Sequence, residues 1–219
     1  MIYKLLFDAD SEENRINKGT RTIFIDHTNT RDIEYPGIKK EFFDTIIFSE
    51  NIIKDWPNVN LYYDSKVSDK EIDYLYNVIS WPIIHERVKT VFELKNIEGI
   101  TYYPVKLIDI TSGKVNQNYY LMYINNFIDG YDMDKSEYKY NEEYDSYSFL
   151  PHATYLKKDV CNQYDIFRCK RFVIPIFVSE KIKQIIEENQ WIGFDLRKQS
   201  IGVQGVQTRL KRNVRFESK

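Results

Sequence analysis

The sequence predicts an α+β fold in which antiparallel strands form a sheet and a few amphipathic helices pack on it. Three observations predict it. His85–Asn96 and Ser179–Gln190 both carry apolar residues at helical spacing. Each segment runs past a glycine, Gly99 or Gly193, into an apolar stretch. Between them, Ile100–Ile110 and Asn118–Phe127 change to period two, the mark of strands. The two helical segments also align without a gap. HERVKTVFELKNIEGI from His85 matches SEKIKQIIEENQWIGF from Ser179, with identities at Glu86, Lys89, Glu93 and Gly99. This predicts an internal helix-turn-strand repeat.

In chain order, Ile2–Phe7 reads as a strand that ends in a polar loop, and Thr22–Ile25 as a second short strand. Tyr35-Pro36-Gly37 marks a turn. Glu41–Trp56 fits helix and strand equally, and Val59–Tyr63 alternates as a strand does. Ser68-Asp69-Lys70-Glu71 has the form of a capping box and predicts a helix through Ile79. In the first matched helix Val88, Val91 and Phe92 form the apolar stripe. In the second, Ser179 is a good N-cap and Ile182, Ile185 and Ile186 form the stripe. Thr111–Lys114 suits a hairpin connection, Tyr164–Arg168 a strand, and Val173–Val178 a short buried strand. Residues 1–198 read as one α+β domain, with 199–219 a basic C-terminal tail. From Arg197 onward that end holds seven basic residues and one acid, Glu217.

The 219 residues can bury a substantial core, and 29% charged with 42% apolar content is ordinary for a globular protein. A net charge of -2 gives no global attraction to nucleic acid or anionic lipid. The basic tail supplies charge for phosphate contact, but terminal charge runs are more often solvated. No apolar run is long enough to span a membrane. The N-terminus turns acidic by Asp8, against a secretory signal, so the expected location is cytoplasmic.

Catalytic signatures are missing. The sequence holds no GxGxxG, GxxxxGK, HExxH or GxSxG. His27, His85 and His152 are scattered, and His85 occupies the slot that Ser179 fills in the second segment, which suggests a helix cap. Cys161 and Cys169 lack a metal or redox spacing and read as small semi-buried thiols. Asp132, Asp134 and Ser136 open like a calcium loop, but the required glycine and glutamate are absent, so they read as turn residues. No catalytic, cofactor-binding or metal-binding residue is therefore assigned.

The strongest local feature is Asp129–Asp145, tyrosine-rich, with seven acids against two lysines. Asp129, Tyr131, Asp132, Asp134, Glu137, Tyr138, Glu142, Glu143 and Asp145 are its candidate partner-binding residues. Carboxylates attract a basic partner, and tyrosine supplies contact area at low entropic cost.

Four pieces carry a family resemblance: WPIIHERVKTVFE from Trp81, ITYYPVKLI from Ile100, NYYLMYINNFIDGYDMDKS from Asn118, and DIFRCKRFVIPIFVSEKIKQIIEENQWIGFDL from Asp165. Over residues 70–198 the chain resembles a family of bacterial immunity proteins encoded beside polymorphic toxins, once a domain of unknown function. It departs at His85, where that family usually has serine, and shows no match in its N-terminal third or tail. The resemblance implies a non-enzymatic, cytoplasmic antidote whose partner is a cognate toxin. It supplies no catalytic residues. A nucleic-acid or general protein-interaction module and an unrecognised enzyme stay open as alternatives.

Overall fold

A computed structural model describes residues 1–8, 23–24, 53–56, 58–65, 71–77 and 80–202. In chain order the strands are β1 (Ile2–Phe7), β2 (Ile23–Phe24), β3 (Val59–Tyr63), β4 (Tyr74–Leu75) and β5 (Ile83–His85). Helix α1 (Glu86–Leu94) follows, then β6 (Ile100–Asp109), β7 (Val115–Ile124), β8 (Phe127–Ile128), β9 (Tyr138–Asn141) and β10 (Ser146–Phe149). A 3-10 turn at Pro151–Ala153 leads to β11 (Leu156–Lys157), α2 (Lys158–Cys161), β12 (Ile166–Cys169) and β13 (Ile176–Ser179). The remainder is α3 (Glu180–Glu188), β14 (Phe194–Lys198) and β15 (Ile201–Gly202).

The α+β expectation holds, but two main sheets replace the single antiparallel one. One runs β14-β1-β13-β12-β8 and the other β2-β3-β6-β7-β5-β4. Both are mixed, because β8 pairs parallel to β12 and β3 parallel to β6. The sequence around Ser68–Ile79 was expected to be helical; among its described residues, Tyr74–Leu75 is a strand. Tertiary packing decides this: the Tyr74 ring stacks on Phe7 at 4.4 Å and on Phe194 at 4.9 Å. The turn at residues 35–37, most of the 41–56 stretch, the start of the capping box and the tail beyond Gly202 lie outside the described residues.

Helices α1 and α3 begin and end as their sequences dictate. The Ser179 side chain accepts from the Ile182 N–H, and His85 Nδ1 accepts from the Arg87 N–H at 3.2 Å. Each cap residue's own N–H donates to an aspartate carbonyl, His85 to Asp73 and Ser179 to Asp165. The same aspartates' carboxylates hold the second helical residue, Arg87 or Lys181. At the far ends Asn96 and Gln190 both take positive φ, as do Gly99 and Gly193. The cap, exit and glycine pairs each stand 94 residues apart (179 − 85, 190 − 96, 193 − 99), whereas the two aspartates stand 92 apart (165 − 73).

The strands repeat the correspondence. β7 lies between β5 and β6 as β1 lies between β13 and β14. His85 sits opposite Tyr119, and Ser179 opposite Ile2. Ile100 sits opposite Ile124, and Phe194 opposite Phe7. The Gly99 carbonyl accepts from Asn125 N–H at 2.8 Å, and that of Gly193 from Asp8 N–H at 2.9 Å.

Helices α1 and α3 share one core. Val88 and Phe92 of α1 and Ile182, Ile185 and Ile186 of α3 are buried with Tyr74, Ile84, Met122, Ile166 and Val178. Val91 was expected in this set and is only partly buried at its margin. Fully burying each such aliphatic chain contributes about 1.5–3 kcal/mol, so this shared layer is what holds the two units together. A separate cluster gathers Ile2, Ile128, Tyr131, Leu156, Phe167 and Phe177 around Cys161 and Cys169. The two thiols are fully buried rather than half-buried, both crowding the position that a Cβ on Gly130 would take.

An acidic tyrosine hairpin as the candidate partner surface

The candidate stretch divides into an anchored first half and a projecting second half. Asp129 lies between two cations, 2.6 Å from Lys157 Nζ and 3.7 Å from Arg171 Nε. Asp132 closes a turn: its carboxylate accepts from Lys135 N–H, its carbonyl accepts from Ser136 N–H, and Lys135 Nζ lies 3.3 Å away. The turn reading of Asp132-x-Asp134-x-Ser136 thus matches the geometry.

Tyr131 must be withdrawn from the partner-binding set. It is 1% exposed, its ring stacks on Phe149 at 4.2 Å, and its hydroxyl donates to the Phe172 carbonyl at 3.1 Å. Burial raises its pKa well above the usual tyrosine range, so the ring is a neutral core anchor.

From Tyr138 the chain rises into a two-stranded ribbon. β9 and β10 pair antiparallel, Tyr138 opposite Phe149 and Tyr140 opposite Tyr147. Strand alternation sets these four rings on one face, with Lys139, Asn141, Ser146 and Ser148 on the other. The rings form a ladder that starts at buried Tyr131, passes Phe149 and ends with Tyr140 and Tyr147, 4.8 Å apart. Cross-strand aromatic pairs of this kind give a two-stranded ribbon stability it otherwise lacks.

Residues 142–145 close the ribbon. Asn141 Oδ1 accepts from the N–H groups of Glu143 and Tyr144, and Asp145 takes φ +43°. Glu142, Glu143 and Asp145 are all exposed at this tip. Tyr144 beside them is 70% exposed. The Tyr140 hydroxyl donates to Asp145 Oδ1 at 2.7 Å, and this bond to a carboxylate raises the phenol's pKa. Glu137 and Asp134 are exposed at the base, and Tyr138 is half-buried in the ladder.

The structure therefore gathers Glu142, Glu143 and Asp145 at one tip and sets two acids apart, Asp129 in ion pairs with the body and Asp132 paired with Lys135 in its own turn. Three tyrosines of the surface, Tyr140, Tyr144 and Tyr147, were missed. Their signal was the alternation of Tyr138-x-Tyr140 with Ser146-x-Ser148; the second strand began just beyond Asp145, where the acidic run stops. What the ribbon offers chemically is carboxylate charge beside phenol faces, with no nucleophile–base pair. Such a surface holds cations and flat apolar groups.

Fold and ribbon together describe an α+β protein that presents an acidic, aromatic surface. The chain belongs to the Immunity protein family (Imm11), whose sequence model matches residues 6–200. The match includes most of the N-terminal third, which the resemblance over residues 70–198 had left out. No curated protein matches the chain. Among the described residues, no helix is long and apolar enough to cross a membrane.

Proposed function

We propose that this protein is a non-enzymatic immunity protein that binds and neutralises a cognate toxin in the cytoplasm of the cell that makes it. Family membership across residues 6–200 is the observation that carries this reading. The toxin-facing surface is the tip of the acidic hairpin, with Glu142, Glu143, Asp145, Tyr140 and Tyr144 as its contact residues. Its occupant is a basic protein surface, such as the cleft of an enzyme that acts on a polyanion. Charge complementarity speeds encounter with that cleft, and the tyrosines supply the desolvated contacts that slow release. We further infer that the two cap-helix-glycine-strand units are copies of one internal repeat, supported by their matching caps, exits and strand registers. The tail was expected to start at residue 199, but Gln199 N–H donates to the Ile2 carbonyl and Ile201–Gly202 pair with β11, so we take only the basic residues beyond 202 as an extension to the single domain.

The test reverses charge at Glu142, Glu143 and Asp145 together and measures binding to the product of a neighbouring toxin-like gene. Association should slow by roughly tenfold or more at low salt and lose much of its salt dependence. The melting temperature should match that of the parent. Reversal at Arg209, Lys211 and Arg212 in the tail should leave binding unchanged. A hairpin variant that still binds and protects at parental rates, beside a tail variant that fails, would place the interface at the C-terminus.

A further inference from the structure

The connection from β12 to β13, residues 170–175, is fastened to its surroundings at both ends. Lys170 N–H donates to the Ile128 carbonyl at 2.9 Å, and the Tyr131 hydroxyl holds the Phe172 carbonyl. Arg168 Nη1 donates to the carbonyls of Val173 and Ile174, at 2.7 and 2.9 Å. Arg168 is 3% exposed, and burial lowers its pKa to about 10. Its acceptors among the described residues are these carbonyls, so a buried guanidinium is committed to shaping one loop.

Held in this way, Arg171 takes φ +75°. That region is unfavourable for a residue with a Cβ and persists only where the surroundings over-determine the backbone. From this position the Arg171 side chain spans two parts of the molecule. Its Nε lies 3.7 Å from Asp129 Oδ1 on the body, and its guanidinium carbon lies 5.6 Å from the centre of the Tyr147 ring on β10. Asp129 is itself paired with Lys157, which holds the body end of the bridge in place.

We propose that Arg171 is a positioning residue that sets the stance of the acidic hairpin on the body. The buried Arg168 and Tyr131 are its mount: they grip the loop so that Arg171 meets Tyr147 from the left-handed conformation. A hairpin held at one angle loses less freedom when a partner docks, and that loss is a main cost of association. This inference takes its functional meaning from the reading of the hairpin as the toxin-facing surface. Its test uses the free protein, so the two stand or fall separately.

Amide hydrogen exchange is measured for residues 138–149 in the wild type, Arg171→Gly, Arg171→Lys and Tyr147→Leu. One cation–ring contact and one partly exposed ion pair together predict exchange roughly three- to tenfold faster in Arg171→Gly. Amides of Glu180–Glu188 should keep their wild-type rates. Glycine also relieves the backbone, so the variant should melt no lower than its parent. Arg171→Lys should fall between the two. Tyr147→Leu should loosen the ribbon to a similar degree, and combining it with Arg171→Gly should add little. Unchanged hairpin exchange in Arg171→Gly, or full additivity in the double variant, overturns the proposal. If the glycine variant does not fold, Arg171→Lys decides: hairpin exchange at the wild-type rate overturns the proposal and faster exchange sustains it.

Discussion

The unit built on α1 and the unit built on α3 follow one plan with different insulation. Asp73, beneath the α1 cap, is 2% exposed; it binds Arg87 and accepts from Ile192 N–H at 2.8 Å. Asp165, beneath the α3 cap, is only half-buried and binds Ser179 and Lys181. The connections before the two caps differ as well. Asn77 grips the first, bonding the Leu75 and Trp81 carbonyls and the Trp81 N–H, with Ser80 at φ +56°. Arg168 grips the second, which carries Arg171 towards the hairpin. The units agree where a helix must start and stop, and differ where a neighbouring segment docks on them.

Matched core positions give the largest contrast. Ile185 is 4% exposed, while its counterpart Val91 is only partly buried. Ile185→Ala should lower the unfolding free energy by roughly 2–5 kcal/mol, and Val91→Ala by about 1. Denaturant titration reads both, and equal losses would mean that the two helices are packed alike. The exit glycines come next. A Cβ on Gly193 would sit 2.2 Å from the Tyr74 carbonyl oxygen, whereas one on Gly99 would meet the movable Asn126 side chain. Gly193→Ala should cost roughly 2–4 kcal/mol through backbone strain and overpacking, and Gly99→Ala less. A reversed order in their melting temperatures would break the assignment of the tighter exit to α3.

The smallest effect concerns the caps. His85 can accept from Arg87 N–H only while Nδ1 is unprotonated. Burial and then Arg87 lower its pKa, outweighing Glu71, whose carboxylate lies 3.6 Å from Nε2, and the acids Asp73 and Glu86; Tyr119 meets the ring edge-on. With the folded pKa below the unfolded one, this cap's stabilisation is complete above about pH 6.5 and is lost as pH falls through the folded value. His85→Ser, which copies the α3 cap, should be near-neutral at pH 7.5 and gain about 1 kcal/mol on the parent at acid pH. Parallel pH–stability curves for the two proteins would sink the idea.

Much of this pattern was legible in the sequence because it is local. Caps, apolar stripes and positive-φ glycines act over one or two turns, so His85, Ser179, Gly99 and Gly193 declare themselves. The sheet order is not local: nothing near Ile2–Phe7 says that it pairs between β13 and β14. Residues 71–77 misled because a capping box describes only a helix start, while the three-ring stack of Phe7, Tyr74 and Phe194 is assembled from distant segments. At the candidate surface the charge was legible and the burial was not. Tyr131 and Tyr144 are the same residue type in similar acidic company, one in the core and one in water. Arg171 gave no signal at all, since its conformation is imposed by Arg168 and Tyr131 from elsewhere.

The central place of β1 carries a consequence for the time course of synthesis. The Tyr3 hydroxyl donates to Glu180, 177 residues away, and both strands flanking β1 come from the same late region. At ribosomal rates of about 5–20 residues per second, β1 waits roughly 10–35 s for its neighbours. Meanwhile β5, β6 and β7 have all their strand partners in hand. A strand waiting with two bare edges invites adoption by another chain. Lys4 lies in the middle of β1, half-buried once the sheet closes, with its pKa lowered by that burial and by Arg197. A charge at the centre of an apolar strand discourages premature pairing. The lysine that ends half-buried in the finished sheet is thus placed to guard the strand while its edges are bare.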